Sequence, residues 1–160
     1  MKNNPISMFY TATDFYNCAE FVFNLEDSFM KGYHTPAVVN LAFACEVYLK
    51  TLLENQGIEI KTHDLSKLFQ KLPEECQQDI LKDVSEDGFS LVDVFGISEI
   101  DRISRVFEDW RYNYEHSVLN VDLGFLESFC KALRECCCKV VFNSTWGNVK
   151  EAMRNGKTNK

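Results

Sequence analysis

Apolar residues return every three or four positions along most of this chain, the spacing that lines one face of an α-helix. Over residues 7–31 the pattern is Phe15, Cys18, Ala19, Val22, Phe23, then Phe29 and Met30, with Gly32 placed where a helix end would want it. Thr35-Pro36 reads as an N-cap followed by a proline in the first turn. The stripe Val38, Leu41, Ala42, Cys45, Leu49, Leu52 then predicts a second helix running to Gly57. A shorter amphipathic segment opens at Thr62-His63-Asp64, carries Leu65, Leu68, Phe69 and Leu72, and stops at Pro73. Another short helix is expected over residues 74–84, and residues 85–96, with two glycines and weak periodicity, read as a long connection. Ser98 with Asp101 looks like a capping box that opens a helix carrying Ile100, Ile103, Phe107, Trp110 and Tyr114. The last long helix starts near Asp122 and carries Phe125, Leu126, Phe129, Leu133, Cys136 and Val140.

This pattern predicts an all-α fold, an antiparallel bundle of five to six helices. With 160 residues the chain fits one domain, expected over residues 1–149, and about 70% of its unfolded surface can be buried at this size. Three prolines and seven glycines leave room for long uninterrupted helices, and 46% apolar with 26% charged residues is a globular composition. There are no internal repeats and no Gly/Ser linkers.

Charge sharpens the picture. Seventeen basic against 24 acidic residues give −7. Lys150, Arg154, Lys157 and Lys160 against Glu151 make residues 150–160 a local +3, which leaves −10 on the first 149. Such a body repels polyanions at long range, so any contact with RNA must be local or helped by the basic tail. That tail is expected to be a flexible, solvated end. The opening Met1-Lys2-Asn3-Asn4-Pro5 and the mixture after it do not read as a signal peptide, and no apolar run approaches the ~20 residues of a membrane span. No membrane association and a cytoplasmic location are therefore expected. The seven cysteines then read as free thiols acting as small apolar core residues.

Several chemistries find no support. Cys136, Cys137 and Cys138 are consecutive, so on a helix they point about 100° apart and cannot converge on one ion. There is no C-x-x-C pair and no histidine pair at i, i+4, and no metal site is expected. Glycine-rich phosphate loops are missing as well, so no cofactor is called for. His63 beside Asp64 could suggest an acid–base pair; the plainer reading is capping by Asp64 with His63 packed nearby.

The segment Arg111-Tyr112-Asn113-Tyr114-Glu115-His116 carries more. Arg111 falls about 100° from Trp110, at the border of the apolar stripe, where a guanidinium is partly shielded with its fork still open to an anion. His116 lies about 140° from Arg111 on a straight helix, so the two meet one ligand only if the helix ends or bends between them. Glu46, at the edge of the second stripe, needs a cation if it is buried, and Arg111 is a candidate partner. Glu115 is a second candidate to hold that arginine.

An arginine followed by four residues and a histidine, late in a helical bundle, resembles the signature of HEPN-domain proteins. Ala44-Cys45-Glu46-Val47-Tyr48-Leu49-Lys50, His63-Asp64-Leu65 and Trp110-Arg111-Tyr112 are also similar to that family, and together they cover roughly residues 35–120. Many members are metal-independent ribonucleases, often toxins or anti-phage effectors, which act as dimers with their motifs meeting at the interface. The resemblance implies His116 as acid–base and Arg111 as phosphate binder, with Glu46, Glu115, Tyr112 and Asn113 shaping the site. It also implies a homodimer, RNA as substrate, and an antitoxin or other protein as partner. The residue types suit the chemistry: imidazole titrates near neutrality, and a fixed guanidinium stabilises a phosphorane. The cleavage needs both a base and an acid, and a second His116 from a partner protomer would complete the pair. Two departures stand out. Tyr112 replaces the small polar residue frequent after the arginine, and Val118 stands where a subgroup silenced by tyrosine nucleotidylation has a tyrosine. The rival reading is a non-catalytic HEPN module that binds a protein or nucleotide through Arg111. A third is a purely structural dimer.

Overall fold

Asn4 starts the first helix by accepting the Ile6 amide on its side chain at 3.0 Å, with Pro5 in the opening turn. The computed structural model describes residues 3–27, 32–92, 96–112 and 121–156. Among them the helices are α1 (Pro5–Phe23), α2 (His34–Asn55), α3 (Leu65–Phe69), α4 (Glu74–Glu86), α5 (Glu99–Arg102), α6 (Val106–Arg111), α7 (Leu123–Phe142) and α8 (Trp146–Gly156). Five of these are long and three are short connecting pieces, and the fold is all-α. An isolated antiparallel bridge between Val92 and Ser98 closes the connection between α4 and α5.

Ring contacts set the directions. Phe9 meets Tyr48, Phe15 meets Phe43 and Phe23 meets His34, so α1 and α2 run antiparallel. Phe9 also meets Phe142, while Tyr16 meets Arg134, so α7 runs antiparallel to α1 as well. α4 lies along α7, joined by Ser128 to Asp87 at one end and Lys139 to Asp79 at the other. The core fills the space between these helices with Phe9, Tyr16, Leu41, Tyr48, Leu49, Leu52, Phe125 and Phe129, all buried. By length and composition α2 could cross a bilayer, contrary to the expectation of no such segment. Most of it, 67% of its most apolar stretch, is buried in the bundle, as befits a central helix apolar nearly all round.

The structure revises several local expectations. α1 ends at Phe23, not near residue 31, and Asp27 then adopts a left-handed φ of 57°. Its buried face is Phe9, Ala12, Thr13, Tyr16 and Ala19, while Cys18 is exposed. Aromatic residues on two sides of α1 blurred the stripe. The buried side includes the Thr13 hydroxyl, which pairs with that of Tyr48 on α2 at 2.9 Å. α2 begins at His34 with Tyr33 as its cap and no side-chain cap bond, so Thr35 lies inside the first turn. The expected single helix through Phe107 is broken into α5 and α6. The carbonyl of Ser104, at the break, accepts the Leu65 amide at 2.8 Å, a bond that a continuous helix would not leave free. Ser98 occupies the cap of α5 without a side-chain cap bond, and Asp101 instead accepts the Ser66 hydroxyl. Finally, the stretch expected to be loose from Lys150 continues α8 through Gly156. Val149 is buried and Met153 packs on the core, apolar anchors that hold the helix down.

Candidate functional site

Glu46 lies on the inward side of α2 with only 2% of its side chain exposed, so its carboxylate must find donors. Two supply them. Lys50, one turn further along α2, donates to Oε1 at 2.7 Å. Nδ1 of His63 reaches both carboxylate oxygens, at 2.9 and 3.0 Å. The chain delivers His63 there through the start of α3: Asp64 caps that helix by accepting the Lys67 amide at 2.9 Å, and the Leu65 amide is tied to Ser104. The capping expected of Asp64 is thus observed. Half of the His63 side chain, 48%, stays open to solvent.

Arg111 closes α6 and is exposed, less shielded than a border position suggested. Its guanidinium lies over the rings of Phe107, at 4.9 Å, and Tyr112, at 4.7 Å. Contacts of this kind hold the cation over the ring faces and leave N–H groups able to meet an anion. Among the described residues no carboxylate pairs with Arg111. The partnership expected between Glu46 and Arg111 is not formed, because Lys50 and His63 are nearer in the fold and already satisfy the buried carboxylate. The two residues are instead linked at one remove: the Phe107 ring that carries Arg111 also faces the His63 imidazole, 5.7 Å away at 35°. Trp110, expected at the centre of the stripe, is half-buried against His34 at 5.6 Å, and Val106 and Phe107 take the buried positions. Tyr112 is exposed beside Arg111. Asn113, Tyr114, Glu115, His116 and Val118 lie outside the described residues.

A polar cluster of imidazole, ammonium and carboxylate therefore borders an exposed guanidinium, all gathered where α2, α3 and α6 meet. The family model described as HEPN domain matches residues 12–136, more than three quarters of the chain. The chain belongs to the HEPN family. No curated protein and no solved structure matches it.

HEPN domains are commonly ribonucleases and often dimeric. The matched span runs from α1 into α7 and takes in Glu46, His63 and the whole segment from Arg111 to His116. α8 follows it, packed on α7: the Trp146 amide donates to the Glu135 carboxylate, 3.2 Å from each oxygen. Within this HEPN domain, His63 is the Glu46 partner that the sequence did not single out. A signal was present, since a glutamate on an otherwise apolar stripe calls for a cation or donor and His63 opens the next helix. Only the turn of the chain back across α2 singles it out.

Proposed function

We propose that this HEPN domain is a metal-independent RNA endonuclease that acts as a homodimer, in toxin activity or anti-phage defence. Arg111 binds the scissile phosphate, and His116 moves protons in the transesterification. The observation that carries the reading is an exposed guanidinium, held over two aromatic rings, within the span matched to the HEPN family. A preorganised cation of this kind stabilises the extra negative charge that builds on phosphorus when the 2′-oxygen attacks.

The test is RNA cleavage by the purified full chain in excess chelator. Arg111→Ala and His116→Ala each lower the rate by about 10²-fold or more. Wild type that cuts no RNA, or variants that cut equally well, would remove the enzyme reading. Light scattering at the same concentrations checks the dimer. The −10 carried by residues 1–149 weighs against a long polyanion and so favours a second reading, a non-catalytic module that binds a protein partner or a nucleotide through Arg111. That reading predicts binding that Arg111→Ala weakens, with no RNA product from wild type.

A further inference from the structure

The bond between His63 and Glu46 has no part in the proposed roles of Arg111 and His116. We infer that His63 is the base that takes the 2′-hydroxyl proton at the Arg111 site, supplied by the same chain as the arginine, with Glu46 as its positioning residue. The inference rests on the endoribonuclease reading and extends it with a proton acceptor from another part of the fold.

Three features of the geometry lead there. Glu46 engages Nδ1 of His63 with both carboxylate oxygens, at 2.9 and 3.0 Å. A carboxylate only accepts, so Nδ1 is the N–H nitrogen and the neutral ring carries its lone pair on Nε2. Lys50 donates to the same carboxylate at 2.7 Å, so the negative charge already has a counter-ion besides the imidazole. The side chain is meanwhile 48% exposed, and an imidazole needed only to satisfy a buried acid gains nothing from that opening.

The third feature is the shared ring. His63 and Arg111 both rest on Phe107, with the imidazole 5.7 Å and the guanidinium 4.9 Å from its centroid. A nucleotide whose phosphate is held by Arg111 would bring its ribose towards that same ring. The placement is built in by the Asp64 cap and the tie from Leu65 to Ser104, which hold the start of α3 against the break before α6.

The step is a transesterification. The 2′-hydroxyl proton passes to Nε2 of His63, and the 2′-oxygen forms its bond to phosphorus while Arg111 holds the phosphoryl oxygens. The bond from phosphorus to O5′ breaks, and O5′ takes a proton from His116, which on this inference serves as the acid alone. A 2′,3′-cyclic phosphate and a 5′-hydroxyl result, and the proton on His63 returns to water. This arrangement obtains a second imidazole within one chain, where the motif alone would need it from a partner.

The experiment compares wild type with His63→Ala on two RNA oligonucleotides, one with the ordinary 5′-oxygen leaving group and one with 5′-sulfur, which leaves without a proton. An uncleavable oligonucleotide with 2′-deoxyribose at the scissile position reads binding alone. Loss of the base lowers kcat about 10²–10⁴-fold on both substrates, with the Kd of the uncleavable strand unchanged within about twofold. Added imidazole restores part of the His63→Ala rate. The role of Glu46 is read without any variant: ¹⁵N-histidine spectra of wild type place the proton of neutral His63 on Nδ1. His63→Ala cutting at the wild-type rate overturns the inference and leaves the endoribonuclease reading standing. Recovery on the 5′-sulfur substrate alone makes His63 the acid and overturns the assignment, as does weakened binding with an unchanged kcat. A proton found on Nε2 overturns it too, and wild type that cuts no RNA ends both readings.

Discussion

Cys45 and Cys137 lie fully buried between α2 and α7, where Cys45 Sγ faces the Leu126 carbonyl at 3.9 Å and Cys137 Sγ the Tyr48 carbonyl at 3.5 Å. Burial pushes both thiols well above their ordinary range, raises Cys136 strongly, and lifts Cys138 up to about 12. A thiol is reactive only as thiolate, so these groups are inert in the folded chain. All seven cysteines are free, and Cys18 alone among them is exposed. Native protein treated with iodoacetamide near neutral pH is expected to take one label per chain, at Cys18, and seven after unfolding. A second site labelled as fast as Cys18 would show that the seam between α2 and α7 opens. The same shifts predict a pH dependence. The unfolded chain releases these protons first, from an ordinary value of 9.0, so the stability they contribute is complete below that value and lost as pH rises towards about 12. The thermal midpoint should stay level between about pH 7 and 8.5 and fall progressively above about 9.

At the scale of elements, the short helices do more positioning than their length suggests. α3 has five residues, too few to be stable alone, and depends on the Asp64 cap and on the bond from Leu65 to Ser104. Asp64→Ala removes the acceptor of the Lys67 amide and should cost about 1 kcal/mol in urea denaturation. The same change at Asp122, which accepts the Phe125 amide at 2.9 Å, removes one cap from a helix of 20 residues. It should cost a similar amount and leave the catalytic rate untouched, whereas loss of Asp64 also loosens His63. Comparing the two by RNA cleavage separates stability from placement. The break between α5 and α6 has the same logic. Apolar spacing continues across it, and only the pairing of the Ser104 carbonyl with another segment ends the first helix there.

For the whole molecule, α8 is part of the packed body. Arg134 of α7 is 8% exposed and lies between the rings of Tyr16, at 4.5 Å, and Trp146, at 4.2 Å, which joins α1, α7 and α8 through one side chain. Among the described residues its Nε has no hydrogen-bond partner, so the ring contacts carry much of what keeps this cation in place. Trp146 also meets Phe9 edge-on at 6.3 Å. Trp146→Ala should therefore lower stability by about 2 kcal/mol, less than a full core tryptophan because the ring is half-buried. Arg154→Ala, on the exposed side of the same helix, should stay within about 0.5 kcal/mol. Equal effects from both changes would mean that α8 does not pack on the bundle in solution.

What the amino-acid order settled by itself was local: helical periodicity, the cap at Asp64, a helix start near Asp122, the stop at Pro73, and the all-α class with its HEPN likeness. These depend on residues a few positions apart, and the chain shows them wherever one stripe is cleanly apolar, as in α2 and α7. Arg111 stood out through its place in a motif-like segment. The partners of Glu46 were not, because a buried carboxylate takes whichever donors the tertiary structure brings within about 3 Å, and spacing cannot choose among several cations. Folding α3 back across α2 chose Lys50 and His63. It also set His63 on the ring that carries Arg111, while α1 and α7 gave residues 150–156 a surface to pack against where charge alone suggested a loose end.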